Sequence, residues 1–263
     1  MSNGDLVKFL GTAGARFVVA KQLRSSAGVY IRMKDKNIIL DPGPDTLVRC
    51  AKSKPAIDVT KLDAIILTHA HIDHSNDVNI LIDAMTGGGL KRRGILFAPE
   101  ECIHGDNAVV LPYLRDYAQD IVILRHNQKY SIDTVSFSTS GRHQHQVETY
   151  GVMFDHYGRK ISFMVDTKYF PDLIQDYEGS DILVMNVVRF APHDSGQVMH
   201  LCIDDVREIL SRITPRKAIL THFGMTMLKA KPWVLANELS DESGIEVIAA
   251  SDGLTVKLDV CIS

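Results

Sequence analysis

The chain has 263 residues, 45% of them hydrophobic, with 29 basic against 32 acidic side chains and a net charge of −3. That length and apolar content suit one large α/β domain or two small ones. The near-even charge excludes a general attraction for nucleic acid or an anionic membrane. No run of eighteen apolar residues occurs, no basic stretch leads into an apolar one at the start, and Cys50, Cys102, Cys202 and Cys261 form no CxxC pair. We therefore expect a reduced, cytoplasmic protein with no signal peptide and no membrane span.

Residues 6–10 form the first strand-like run and lead into Gly11-Thr12-Ala13-Gly14. That tetrapeptide resembles a phosphate-loop fragment without the Gly-Lys-Ser/Thr ending, and it reads as a turn. Strands follow at 29–33 and 37–40. Asp41 ends the second and enters Pro42-Gly43-Pro44. It either fixes the tautomer of a ligand imidazole or is an ordinary turn residue. A helix is expected over 44–52.

The next strand, 64–67, runs into Thr68-His69-Ala70-His71-Ile72-Asp73-His74. Three imidazoles and a carboxylate within six residues are the donors that Zn²⁺ and similar divalent ions bind. In extended chain, His69 and His71 project to one side and can grip one ion together. A helix over 73–85 would turn Asp73 and His74 elsewhere, toward a second ion. Gly87-Gly88-Gly89 with Lys91-Arg92-Arg93 reads as a loop with a solvated charged face.

Strands are expected at 94–97, 121–124 and 135–138. His143 and His145 then precede a strand at 151–154, and either offers a third imidazole to the first ion; spacing does not choose between them. The strand at 161–165 ends at Asp166, a carboxylate at a sheet edge able to bridge two ions. After the strand at 182–185 come His193 and His200, candidate proton donors ahead of the clearest helix, 203–213. There Ile203, Val206, Ile209, Leu210 and Ile213 share one stripe, with Asp204 and Asp205 in the first turn and Arg212 in the last. The strand at 218–220 runs into Thr221-His222, repeating the Thr68-His69 pattern. A helix at 233–239 and strands at 245–249 and 254–258 close the chain. Strand–helix alternation in each half suits two sheets covered by helices on their outer faces. With no repeat or linker in evidence, residues 1–263 read as one domain.

The chain resembles the metallo-β-lactamase-fold hydrolase superfamily. The matching segments are Ile39-Leu40-Asp41-Pro42-Gly43, Thr68 through His74, His145 with Gly151 six residues on, Met164-Val165-Asp166-Thr167, and Leu220-Thr221-His222. They come in the family's order, from about residue 28 to the C-terminus. The resemblance implies a four-layer αββα sandwich of the α/β class, with a dinuclear centre in the cleft between the sheets. It implies that His69, His71 and His145 hold one ion, that Asp73, His74 and His222 hold the other, and that Asp166 bridges both. It favours His145 over His143, because the family's ligand stands six residues before the glycine, here Gly151. Within the superfamily the chain looks most like the phosphodiesterase branch of tRNA 3′-processing ribonucleases and cyclic phosphate diesterases. The features are His200 ahead of a helix and Ser251-Asp252-Gly253-Leu254 near the end. Two departures stand out. Only twenty residues separate His145 from Asp166, where the tRNA enzymes insert a long arm, and Ser75-Asn76-Asp77 replaces the glycines that many relatives carry after the motif.

The expected activity is that of a cytoplasmic hydrolase with two divalent ions, Zn²⁺ or Mn²⁺, with Fe²⁺ also compatible. Its substrate would be a small or cyclic phosphate ester, attacked by a hydroxide shared between the ions. Asp73 would orient the nucleophile, and His200 would stabilise the transition state or protonate the leaving oxygen. No tRNA binding is expected, because the segment between His145 and Asp166 has only Arg159 and Lys160 as basic residues. A homodimer is compatible with the sequence. Other readings are a carboxylic ester, thioester or lactone hydrolase, a tRNA 3′-processing ribonuclease, and a non-catalytic metal or ligand sensor on the same fold.

Overall fold

The computed structural model describes residues 4–14, 16–193 and 197–258, so Cys261 lies outside the described residues. Two seven-stranded sheets carry the fold. The first contains β1 (Leu6–Phe9), β2 (Val29–Met33), β3 (Lys36–Leu40), β4 (Ala64–Ile66), β5 (Ile95–Ala98), β6 (Asp120–Ile123) and, from the chain's end, β14 (Thr255–Lys257), in the order β14-β1-β2-β3-β4-β5-β6. The second contains β7 (Lys129–Ile132), β8 (Val135–Arg142), β9 (Tyr150–His156), β10 (Arg159–Met164), β11 (Ser180–Asn186), β12 (Lys217–Thr221) and β13 (Glu246–Ala249), in the order β13-β12-β11-β10-β9-β8-β7.

Each sheet is half antiparallel and half parallel. β3 through β6 are parallel in the first, and β10 through β13 in the second. Parallel neighbours need a crossover, which places helices on the sheet faces. Three buried clusters mark the three interfaces between four layers. One joins the sheets, with Phe9, Leu40, Ile66 and Phe97 against Phe137, Phe154, Phe163 and Ile219. Another packs Ile39, Ile65 and Leu96 under Leu81, Ile82 and Met85 of the helix Val78–Thr86. The third packs Leu183, Met185 and Leu220 under Val206, Ile209 and Leu210 of the helix Ile203–Ile213 and Leu235 and Leu239 of the helix Pro232–Ser243. The alternation Ile38–Ile39–Leu40 sends neighbouring side chains into different clusters, as strand geometry requires. No helix among the described residues is long and apolar enough to cross a membrane. Cys50, Cys102 and Cys202 are buried and unpaired.

Three expectations need correction. The helix expected over 73–85 is two helices, Ile72–Ser75 and Val78–Thr86. The break is held from outside: the Asp77 N–H donates to the Pro42 carbonyl (2.9 Å), and its carboxylate accepts from the Leu47 N–H (3.0 Å). Those bonds clamp the 42–47 loop beside the histidine motif. The segment Gly11–Gly14 is an extended strap, not a turn. The Thr12 N–H donates to Ser25, the Gly14 N–H to Phe223, and the Phe223 N–H to Thr12. A Cβ at Gly14 would stand 2.3 Å from the His222 carbonyl oxygen, so only glycine allows this approach. Finally, the edge strand β7 was not expected from Lys129-Tyr130-Ser131-Ile132, whose alternate residues are exposed.

Candidate metal centre

The parallel strands of both sheets end at one cleft, and the polar residues just past those ends meet there. Asp41 follows β3 in the left-handed region (φ 51°). Its carboxylate accepts from the Thr68 N–H (2.7 Å), the Thr68 hydroxyl (2.7 Å) and His74 Nδ1 (3.0 Å). With its own proton given to Asp41, the Thr68 hydroxyl accepts from His69 Nδ1 at 3.0 Å. One carboxylate thereby engages two imidazoles through Nδ1, directly for His74 and through Thr68 for His69, and turns Nε2 of both toward the cleft.

Three donor groups form. Asp41, His69 and His74 are the set just described; of the two that do without Asp41, His69, His71 and His145 with Asp166 make the first, and Asp73, His74 and His222 the second. In the first, His145 Nε2 stands 3.0 Å from His71 Nδ1, while Nδ1 of His145 donates to the Met199 carbonyl (3.2 Å). In the second, His74 Nε2 and His222 Nε2 are 3.3 Å apart, with Asp73 Oδ2 at 3.5 Å from His222 Nε2. Asp166 lies between the groups. Its Oδ2 is 3.5 Å from His74, 3.8 Å from His145 and 4.0 Å from His69, and its Oδ1 is 3.5 Å from His222.

His143 joins neither group. Its Nδ1 donates to the Asp166 carbonyl oxygen (3.3 Å) and its Nε2 accepts from the Tyr177 hydroxyl (2.8 Å). Burial pulls its pKa down to about 4, consistent with this neutral, hydrogen-bonded ring. His193 is exposed and in neither group. His200 has its Nδ1 3.6 Å from Asp166 Oδ2. Asn186, at the end of β11, was missed from the sequence; its side-chain amide donates to Asp166 Oδ1 at 2.8 Å. It ends an apolar run as Asp166 does, and that signal could have found it.

The donor set fits divalent ions. Among the described residues, His69 Nε2, Asp73 Oδ2 and His200 Nδ1 are buried without a hydrogen-bond partner, an arrangement that is costly unless something electropositive faces them. Two imidazole nitrogens bound tetrahedrally to one Zn²⁺ lie about 3.3 Å apart, close to the 3.0 and 3.3 Å seen here. The electrostatics agree. Burial opposes charge on His74, yet Asp73 and Asp166 outweigh it and hold its pKa well above the ordinary value. Burial likewise opposes charge on Asp166, but His222, His200 and His74 hold its carboxyl well below the usual range. Burial pulls His69 well below its ordinary value. The pocket thus keeps the His69 ring neutral and draws positive charge to its carboxylates.

Above the two groups opens a cleft of about 440 Å³, lined by Arg16, His71, Ile72, Asp73, Gln146 and His200 among others. The Gln146 amide donates to the Gln197 carbonyl (3.1 Å), tying the His145 loop to the segment that carries His200.

Behind the first group, Gly151 makes room for Tyr177. A Cβ there would stand 1.7 Å from the Tyr177 hydroxyl oxygen. Gly151→Ala should therefore cost about 1–3 kcal/mol of stability by overpacking. The added change Tyr177→Phe should restore part of that loss. Denaturant unfolding checks it, and a Gly151→Ala protein as stable as the wild type would show that the clash is relieved elsewhere.

Two helix-covered sheets with a cluster of histidines and aspartates at their shared strand ends define a metal-dependent hydrolase fold. Residues 36–223 match the beta-lactamase superfamily domain, and the chain belongs to that family. An uncharacterised protein of Methanocaldococcus jannaschii is 30% identical over 259 residues, covering 95% of this chain and 94% of that protein. Among solved structures, the metallo-beta-lactamase fold protein YhfI of Bacillus subtilis superposes with a TM-score of 0.79 at 19% identity, covering 97% of this chain and 100% of that one. A diphosphatase of the PhnP family superposes with a TM-score of 0.69 at 22% identity, covering 98% and 100%. At these identities the structures share the fold.

Proposed function

We propose that this chain is a dinuclear phosphodiesterase acting on a small or cyclic phosphate ester, with Zn²⁺ or Mn²⁺ at its two sites. The observation that carries the reading is His200. Its Nδ1 is buried, has no hydrogen-bond partner and faces the cleft side of the bridging candidate Asp166 at 3.6 Å. A ligand set alone would serve binding; an additional imidazole held over it serves a reaction. The likeness to a PhnP-family diphosphatase supports phosphoester chemistry.

His69, His71 and His145 would hold one ion, Asp73, His74 and His222 the other, and Asp166 both. Such ions supply an activated water near neutral pH and neutralise charge on phosphoryl oxygens. Asp73, whose Oδ2 is buried without a hydrogen-bond partner, would help to hold the second ion and to orient the attacking water. Asn186 holds Asp166 Oδ1 in place. Burial pulls His200 below its ordinary pKa despite Asp166, so the neutral ring serves as a hydrogen-bond donor to the leaving oxygen. Asp41 and Thr68 keep His69 and His74 in their ligating tautomers.

A hydrolysis screen on metal-analysed protein tests this. We expect turnover of bis(p-nitrophenyl) phosphate and of cyclic phosphodiesters, and little of thioesters, lactones or precursor tRNA. Faster carbonyl ester hydrolysis would replace the reading with the acyl one. Efficient 3′ cleavage of precursor tRNA at physiological salt would make the chain a ribonuclease.

A further inference from the structure

The geometry points to a second ligand site, apart from the metal centre, that takes a phosphate dianion: inorganic phosphate or the phosphoryl end of a small monoester. The site is a cavity of about 280 Å³ where β1, the end of the helix Thr46–Lys52 and the segment before β14 meet, lined by Lys8, Arg49, Lys52, Ser53, Lys54 and Asp252 among others. It shares no lining residue with the cleft over the donor groups, and it does not depend on the phosphodiesterase reading. Two polar groups in it are short of partners. The Ser53 hydroxyl oxygen is buried without a hydrogen-bond partner, which is costly unless a polar group faces it. Lys8 is 9% exposed, and its ammonium makes one hydrogen bond, to the Lys54 carbonyl (3.2 Å), and no ion pair among the described residues. A lysine is rarely buried this far without a counter-charge.

The charge around these two groups is one-sided. Lys52 and Lys54 are exposed, and neither ammonium has a partner among the described residues. Arg49 donates through Nε to the Leu10 carbonyl and through Nη2 to Asp252. Asp252 is the one carboxylate in the lining, and it is already engaged by the Thr12 hydroxyl, the Ser25 N–H and Arg49. The helix Thr46–Lys52 also ends here, and its carbonyl end attracts cations. Even a full helix dipole places only about half a negative charge at that end, so it accounts for one lysine at most. Roughly two and a half positive charges remain over. Solvent screens the share of Lys52 and Lys54, which puts the weight on the buried Lys8. A phosphate dianion matches the excess, whereas a carboxylate leaves more than half of it unmet. Ammonium groups bind phosphate as point charges, and the Ser53 hydroxyl can donate to one of its oxygens. The volume suits a small ligand.

Backbone amide chemical shifts of the Zn²⁺-loaded protein test this by location, which separates the cavity from the metal centre. Inorganic phosphate, propyl phosphate and acetate are titrated at fixed ionic strength. The amides of Lys52, Ser53, Lys54 and Gly253 should shift to saturation with one or both dianions, roughly 10-fold or more tighter than with acetate. Saturation by inorganic phosphate alone defines an ion site, and saturation by propyl phosphate as well or alone defines a site for monoesters. Ser53→Ala should weaken dianion binding roughly 3–10-fold and leave the protein as stable as before, since the hydroxyl it removes has no partner. Lys52→Gln with Lys54→Gln, both at exposed positions that the fold tolerates, should weaken it by a similar roughly 3–10-fold. No saturating shift at these amides overturns the inference. So does acetate binding as tightly as both dianions, and so does dianion binding that is unchanged in Ser53→Ala and in the double lysine variant.

Discussion

Asp166→Ala should strip the chain of both proposed ions and take hydrolysis to background. The carboxylate is 2% exposed and stands within 4.0 Å of imidazole nitrogens from both donor groups. Two cations held side by side would repel, and a carboxylate shared between them would offset that repulsion. The expected loss in kcat is roughly 10⁴-fold or more, the scale on which cooperating catalytic groups fail together. Asp73→Ala is the control, since Asp73 belongs to the second group alone; it should retain one ion. Metal analysis after reconstitution gives the answer. Two ions on Asp166→Ala protein would refute the bridging role, and a wild type that saturates at one ion would refute the dinuclear centre.

His200→Ala has the next largest effect, and its signature differs. The residue lies over the centre but outside both donor groups, so the ions should stay at two per chain. kcat should fall roughly 10²–10⁴-fold, the range for losing a proton donor or a transition-state hydrogen bond. Substrates with a good leaving group such as p-nitrophenolate should suffer less than alkyl esters, because they need less help at the departing oxygen. An equal loss on both would move His200's action to the non-bridging oxygens, and lost metal would make it a ligand or a support.

Part of the cluster was readable in the sequence because several of its residues occupy one kind of position, the polar residue just past an apolar strand. Asp41, His69, Asp166 and His222 all do, and such a position is local. Asn186 obeys the same rule and escaped only because an amide is a weaker signal than an imidazole or a carboxylate. The choice between His143 and His145 was not readable from spacing. It depends on Tyr177, thirty-four residues from His143, reaching in to take that ring. The break at Asn76 and Asp77 was hidden for the same reason: helix propensity is local, and the Pro42 and Leu47 bonds that interrupt it are not.

His145 and Gln146 are neighbours in the one loop between β8 and β9, and the Gln146 amide ties that loop to the Gln197 carbonyl. The segment that offers an imidazole to the first donor group therefore also forms part of the cleft wall. A replacement in this loop would change the shape of the cleft and the placing of a donor together, so the two properties are coupled through the backbone of a few residues.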